Sequence, residues 1–111
     1  MTPLTPSMFE ILAALGAGPL HGYAIAKRIV DLHQGATRPI GPATLYSSLQ
    51  RLEEMGFIEE VEALPGDSRR KTYRMTSSGA THLSQAIVRQ RQFLDSATSS
   101  APDGILAGGA K

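Results

Sequence analysis

Cysteine and tryptophan are both missing from this chain, and aromatic residues make up only 5% of it. Without thiols, disulfides and thiolate chemistry are excluded, and redox usage points to no compartment. With so few flat rings, an aromatic sandwich around a planar ligand is hard to build. Charge of one sign is scarce too: 11 basic residues stand against 10 acidic ones, a net charge of +1. No global field therefore marks a polyanion partner, and any nucleic-acid binder of this composition must cluster its positive charge locally. No apolar run approaches the roughly eighteen residues of a membrane span. The N-terminus lacks the basic segment and apolar stretch of a secretory signal. The expectation is a cytoplasmic protein with no membrane partner.

Catalytic patterns are lacking as well. His21, His33 and His82 lie far apart, with no carboxylate or cysteine at metal-ligand spacing, and His21 reads as a local packing or capping residue. Ser77-Ser78 reads as a helix start and not a nucleophile motif. Gly16, Gly18 and Gly22 have no preceding strand, so they form no phosphate loop. No enzyme activity, metal or cofactor is expected.

What is present is a globular composition, 41% hydrophobic and 19% charged over 111 residues, enough for one domain with a modest core. The most informative stretch runs from Gly41 to Gly56. Gly41 can cap a helix and Pro42 suits its first position, where a missing N–H is no loss. Leu45, Leu49 and Leu52 recur at i, i+4 and i+7 as one apolar stripe, and Gly56 stops the helix in the left-handed conformation. The rod is roughly 20 Å long. Its other face carries Thr44, Ser47, Gln50 and Arg51, with Tyr46 on the flank. Short hydrogen-bonding groups near the N-terminus and longer ones beyond suit a helix entering the DNA major groove. They also suit an ordinary amphipathic helix with a wet face.

The flanking segments read as follows. Thr5-Pro6 starts a helix whose stripe is Met8, Ile11, Leu12 and Leu15, closed at Gly16, with Phe9 beside it. A second helix begins near His21-Gly22-Tyr23 and ends by Gly35. Ile25, Ala26, Ile29 and Leu32 form its buried face, and Lys27 and Arg28 stay outside. Ile40 is expected in a short strand before the central helix. Phe57 to Leu64 and Arg69 to Thr76 form a β-hairpin about the turn Pro65 to Ser68.

Charge is segregated in that hairpin: Glu59, Glu60 and Glu62 lie on the first strand, and Arg69, Arg70, Lys71 and Arg74 on the second. Cross-strand ion pairing is one reading; a basic tip against phosphates is the other. Arg74 reads as a strand salt-bridge partner. Thr76 caps a last helix from Ser77 to about Ala97, about 30 Å long, with Ala80, Leu83, Ile87 and Leu94 on its apolar face and Phe93 alongside. A small domain cannot cover such a helix, so its flank suggests a second copy. Residues 98–111 read as a disordered tail.

Order and spacing give a winged helix-turn-helix: an α+β, mostly helical fold, with the second and third helices as the turn motif and the hairpin as wing. The sequence resembles short members of the PadR family of transcriptional regulators. His21-Gly22-Tyr23 with Ile25, then Thr44-Leu45-Tyr46, Leu49, Arg51-Leu52-Glu53 and Gly56-Phe57-Ile58 match its signatures. Arg70-Lys71, Tyr73, Thr76 and Gly79 match its wing and last helix. Ala43 and Ser47 depart from the glycine and proline often found there, which leaves the base preference open.

The resemblance covers residues 4–94 and implies a homodimeric repressor that binds a double-stranded DNA operator. It implies residues 1–76 as the DNA-binding unit and 77–97 as a dimerisation helix. Thr44, Tyr46, Ser47, Gln50 and Arg51 are the candidates on the reading helix. Tyr46 could equally pack its ring and offer only its hydroxyl to a phosphate. Tyr23 and Lys27, with Arg69, Arg70 and Lys71 on the wing, would position the domain. Leu83, Ile87, Phe93 and Leu94 are the dimer candidates. The family often responds to small aromatic or drug-like compounds; Met8, Phe9 and Phe93 are candidates for such a pocket, against plain dimer packing. The rival reading is a winged-helix protein-interaction module without DNA binding.

Overall fold

The computed structural model describes residues 3–62 and 71–100. Among the described residues, four α-helices and the three strands of a small sheet follow in the order α1 (Pro6–Ala14), β1 (Leu20–His21), α2 (Gly22–Leu32), α3 (Pro42–Glu54), β2 (Ile58–Val61), β3 (Thr72–Met75) and α4 (Ser77–Ser100), with a 3-10 turn at Leu15–Ala17 after α1. This is the winged helix-turn-helix that the sequence predicts.

Each helix starts where its capping chemistry lies. The Thr5 side chain accepts a hydrogen bond from the Met8 N–H at 3.2 Å, and Pro6 takes the first position of α1. His21 caps α2, its Nδ1 accepting from the Ala24 N–H at 3.2 Å. Proline again occupies the first turn of α3, after Gly41. Gly56, at φ 76°, turns the chain out of α3 in the left-handed region that other residues enter at a steric cost.

The core draws on every element. Met8, Ile11 and Leu12 of α1 meet Ile25 and Ile29 of α2 and Leu45, Leu49 and Leu52 of α3, with Phe57, Ile58 and Tyr73 closing the sheet side. At α4 the chain is pinned by Thr76, whose hydroxyl donates to the Gly56 carbonyl at 2.6 Å and accepts from the Gly79 N–H at 3.1 Å. Strand order is β1-β3-β2, all antiparallel. Because Leu20 pairs with Tyr73, the entry to α2 is tied to the wing.

Several expectations need correction. The short strand lies at Leu20–His21 and not at Ile40; Ile40 directly follows Pro39, which has no N–H for a ladder. The hairpin strands are shorter than expected, with Phe57 buried in the turn before β2. The expected turn at 65–68 falls outside the described residues. Leu32 is 45% exposed, because α2's last turn faces an open groove. Leu83 is part of its own chain's core, since the first turns of α4 pack on the domain. It therefore has little surface left for a partner. Met8 is 1% exposed within that core and is absent from the lining of the cavity between α1, α2 and α4. Finally, α4 continues through residues 98–100, which were expected in the tail.

Candidate nucleic-acid interface

Two helix faces and one sheet edge make up the surface in question. On α3 the leucine stripe at 45, 49 and 52 points into the core, which turns the opposite side outward. Thr44, Tyr46, Ser47, Gln50 and Arg51 are all exposed there. Ser47 Oγ donates to the Thr44 carbonyl at 3.2 Å. Gln50 and Arg51 make no side-chain bond to any described residue, so their donors are available. Gln50 can present both a donor and an acceptor, and Arg51 a planar fork, the two side-chain geometries suited to adenine and guanine edges.

On α2, Tyr23 is 71% exposed, and Lys27, one turn further along the same face, is exposed as well. Lys27 and Arg51 form no ion pair with the described residues. The His21 and Tyr23 rings lie near-parallel, 6.4 Å between centroids with planes 16° apart. Capping requires Nδ1 of His21 as acceptor, which assigns its ring hydrogen to Nε2 in the neutral form.

Tyr46 lies between these faces. Its ring rests on the backbone of Gly22, the first residue of α2, and this contact links the two helices of the turn motif. Nothing in the spacing of residues 22 and 46 announces it, since the approach is set by how α2 and α3 cross. Nearby, Tyr73 is buried; its removal from water, with the charges of Glu53, Glu60 and the ionisable phenol of Tyr46, pushes its phenol above the usual 10.0.

The wing divides its charges. Arg74 pairs with Glu59, its register partner across the ladder, which fits the expectation that Arg74 is a strand ion-pair residue. Lys71 approaches Glu60 at 4.0 Å and stays largely exposed. Arg69 and Arg70 lie outside the described residues. Among the described residues, no three His, Cys, Asp or Glu side chains group as a metal site would need. Nor is any described helix long and apolar enough to cross a membrane.

On the far side of the domain a cavity of about 660 Å³ opens between α1, the end of α2 and α4. Leu4, Phe9, Leu32, Ala86 and Phe93 line it, as do Glu10 and His33, whose side chains are hydrogen-bonded to each other. Of the three pocket candidates, Phe9 and Phe93 both line this cavity and Met8 does not.

Comparison with known proteins agrees with this geometry. Residues 11–85 match the family model of the transcriptional regulator PadR-like family. A transcriptional regulator from Clostridium thermocellum has a similar structure, with a TM-score of 0.74 and 27% identity, covering 86% of this chain and 90% of that one. The structure of Bacillus subtilis PadR in complex with operator DNA superposes with a TM-score of 0.66 and 26% identity, over 79% of this chain and 49% of that one. An uncharacterised 37.1 kDa protein in transposon TN4556 of Streptomyces fradiae is 36% identical over 69 residues; the match covers 62% of this chain but only 18% of that relative's length.

Proposed function

This chain belongs to the PadR-like family of transcriptional regulators, and from that premise we propose that it is a homodimeric repressor of the operator-binding kind. In this reading α3 enters the major groove with Thr44, Tyr46, Ser47, Gln50 and Arg51. Tyr23 and Lys27 of α2 and Arg69, Arg70 and Lys71 of the wing hold phosphates. The far half of α4 joins two copies, so that two reading helices stand about 34 Å apart, one turn of B-DNA.

The observation that carries the proposal is the outward face of α3. Its apolar stripe is consumed by the core, while Gln50 and Arg51 stand exposed with no described partner. A relative of the same family has been captured on operator DNA, which supports the same use here. The cavity beneath Phe9 and Phe93 falls within the size range of small-molecule sites and supports a small, largely apolar effector that relieves repression.

The test is fluorescence anisotropy with duplex fragments recovered by genome-wide mapping of bound sites. Binding at micromolar or tighter concentration is expected, with log affinity falling against log salt by about 0.9 per phosphate contact. A protein that leaves duplex DNA unbound at micromolar concentration in low salt is instead a winged-helix protein-interaction module.

A further inference from the structure

We propose that Gly22 is a positioning residue for DNA binding: by carrying no side chain, it lets the Tyr46 ring settle on α2 and fixes where the Tyr46 hydroxyl meets a phosphate. The proposal rests on the reading above, in which Tyr46 faces the duplex.

The contact is narrow and lopsided. A Cβ at position 22 would lie 3.1 Å from the Tyr46 Oη, but 3.4 Å from Cε1 and 3.5 Å from Cζ. The ring carbons would therefore sit at close to ordinary van der Waals distance, and only the hydroxyl would be crowded. Tyr46 is 56% exposed, so a Cβ at position 22 would displace its ring toward the open, solvent side. Its Oη makes no hydrogen bond to a described residue, so its position is set by packing alone. Packing holds it over the first turn of α2, the turn that also carries Tyr23. A neutral hydroxyl held there can donate to a phosphate oxygen, and a bond to a charged acceptor loses strength quickly when donor and acceptor are displaced.

Gly22 does not owe its place to backbone conformation. It lies in α2 without the positive φ of Gly18, Gly35 or Gly56, so alanine fits the backbone and favours the helix. Stability and binding should therefore respond to Gly22→Ala in opposite ways.

The experiment is a double-mutant cycle, read as affinity for a fluorescein-labelled duplex of mixed sequence at low salt, with Tm for each variant. Tyr46→Phe should weaken binding by roughly tenfold, the loss of one charge-assisted hydrogen bond. Its salt slope should not change, because the hydroxyl is neutral. Gly22→Ala should weaken binding several-fold and Gly22→Val by as much as Tyr46→Phe, with Tm of Gly22→Ala unchanged or raised. In the Tyr46→Phe background, Gly22→Ala should have no further effect, because the crowded atom is gone.

Equal weakening by Gly22→Ala in both backgrounds overturns the proposal, as does no weakening in either. An unchanged affinity for Tyr46→Phe also overturns it, while salt-dependent binding by the unmodified protein leaves the regulator reading standing. An unmodified protein that ignores DNA sinks both.

Discussion

Two residues in this domain are held to their identities by distance and by burial. At Gly79, a Cβ would lie 2.1 Å from the carbonyl oxygen of Phe57. That oxygen also accepts the Thr76 N–H at 3.0 Å, so it cannot swing aside. Helix propensity alone predicts that Gly79→Ala gains up to about 1 kcal/mol. Overpacking against backbone costs about 1–3 kcal/mol or more, and here it should win. The expected result is a net loss near 2 kcal/mol, seen as a fall in Tm of roughly 10 °C by circular dichroism. A higher Tm would show that the turn at Gly56 and Phe57 yields easily.

Tyr73 acts through its ionisation. Burial first, then Glu53, Glu60 and Tyr46, raise its phenol above 10.0. A group whose folded pKa lies above its unfolded one stabilises below the unfolded value and loses that contribution as pH rises through the folded one. Stability should therefore hold up to about pH 10 and decline beyond it. Tyr73→Phe should remove this part of the alkaline decline in urea titrations run across that range, and an unchanged pH profile would count against the assignment.

Among the elements, legibility followed periodicity. The three leucines of α3 could be read because a 3.6-residue repeat leaves one consistent face, and Thr5-Pro6 and Gly41-Pro42 mark helix starts by local chemistry alone. The strand Leu20–His21 could not be read, since two residues have no period and their partner, Thr72–Tyr73, is far along the chain. Leu32 fits the α2 stripe and still lies partly in solvent; periodicity gives a direction, not the extent of what covers it. The ion pair of Arg74 with Glu59 was legible in charge segregation, whereas the seating of Tyr46 on Gly22 was not, because a helix crossing leaves no trace in spacing. Within the interface, α2 and α3 should divide their duties. Lys27→Ala should weaken binding to all sequences alike and reduce the salt slope by about 1. Gln50→Ala should keep that slope and relax preference at one base pair by about 1–3 kcal/mol. Selection of bound sites from a random library, repeated over a salt series, separates the two, and exchanged phenotypes would reverse the assignment.

At the scale of the whole molecule, the proposed homodimer rests on α4. Its 24 residues span about 36 Å at 1.5 Å per residue, while the domain claims only the start: Leu83 is core and Ile87 packs against it. Beyond that point Val88, Phe93 and Leu94 are 53%, 70% and 53% exposed. Large apolar side chains exposed along one helix in this way call for a partner surface, and in the proposed homodimer a second copy would supply one by two-fold symmetry. The two ends of α4 should then fail differently. Leu83→Ala should destabilise the fold itself, by about 2–5 kcal/mol at any protein concentration. Phe93→Asp with Leu94→Asp should leave the protomer folded and divide the dimer, read as a halved mass in sedimentation equilibrium and a Tm that no longer depends on concentration. Affinity for a two-half-site operator should fall steeply, because one reading helix no longer brings the second to the duplex, while binding to a single half-site persists. An unmodified protein that sediments as a monomer at tens of micromolar would remove α4 from this role and leave its apolar end to a different partner.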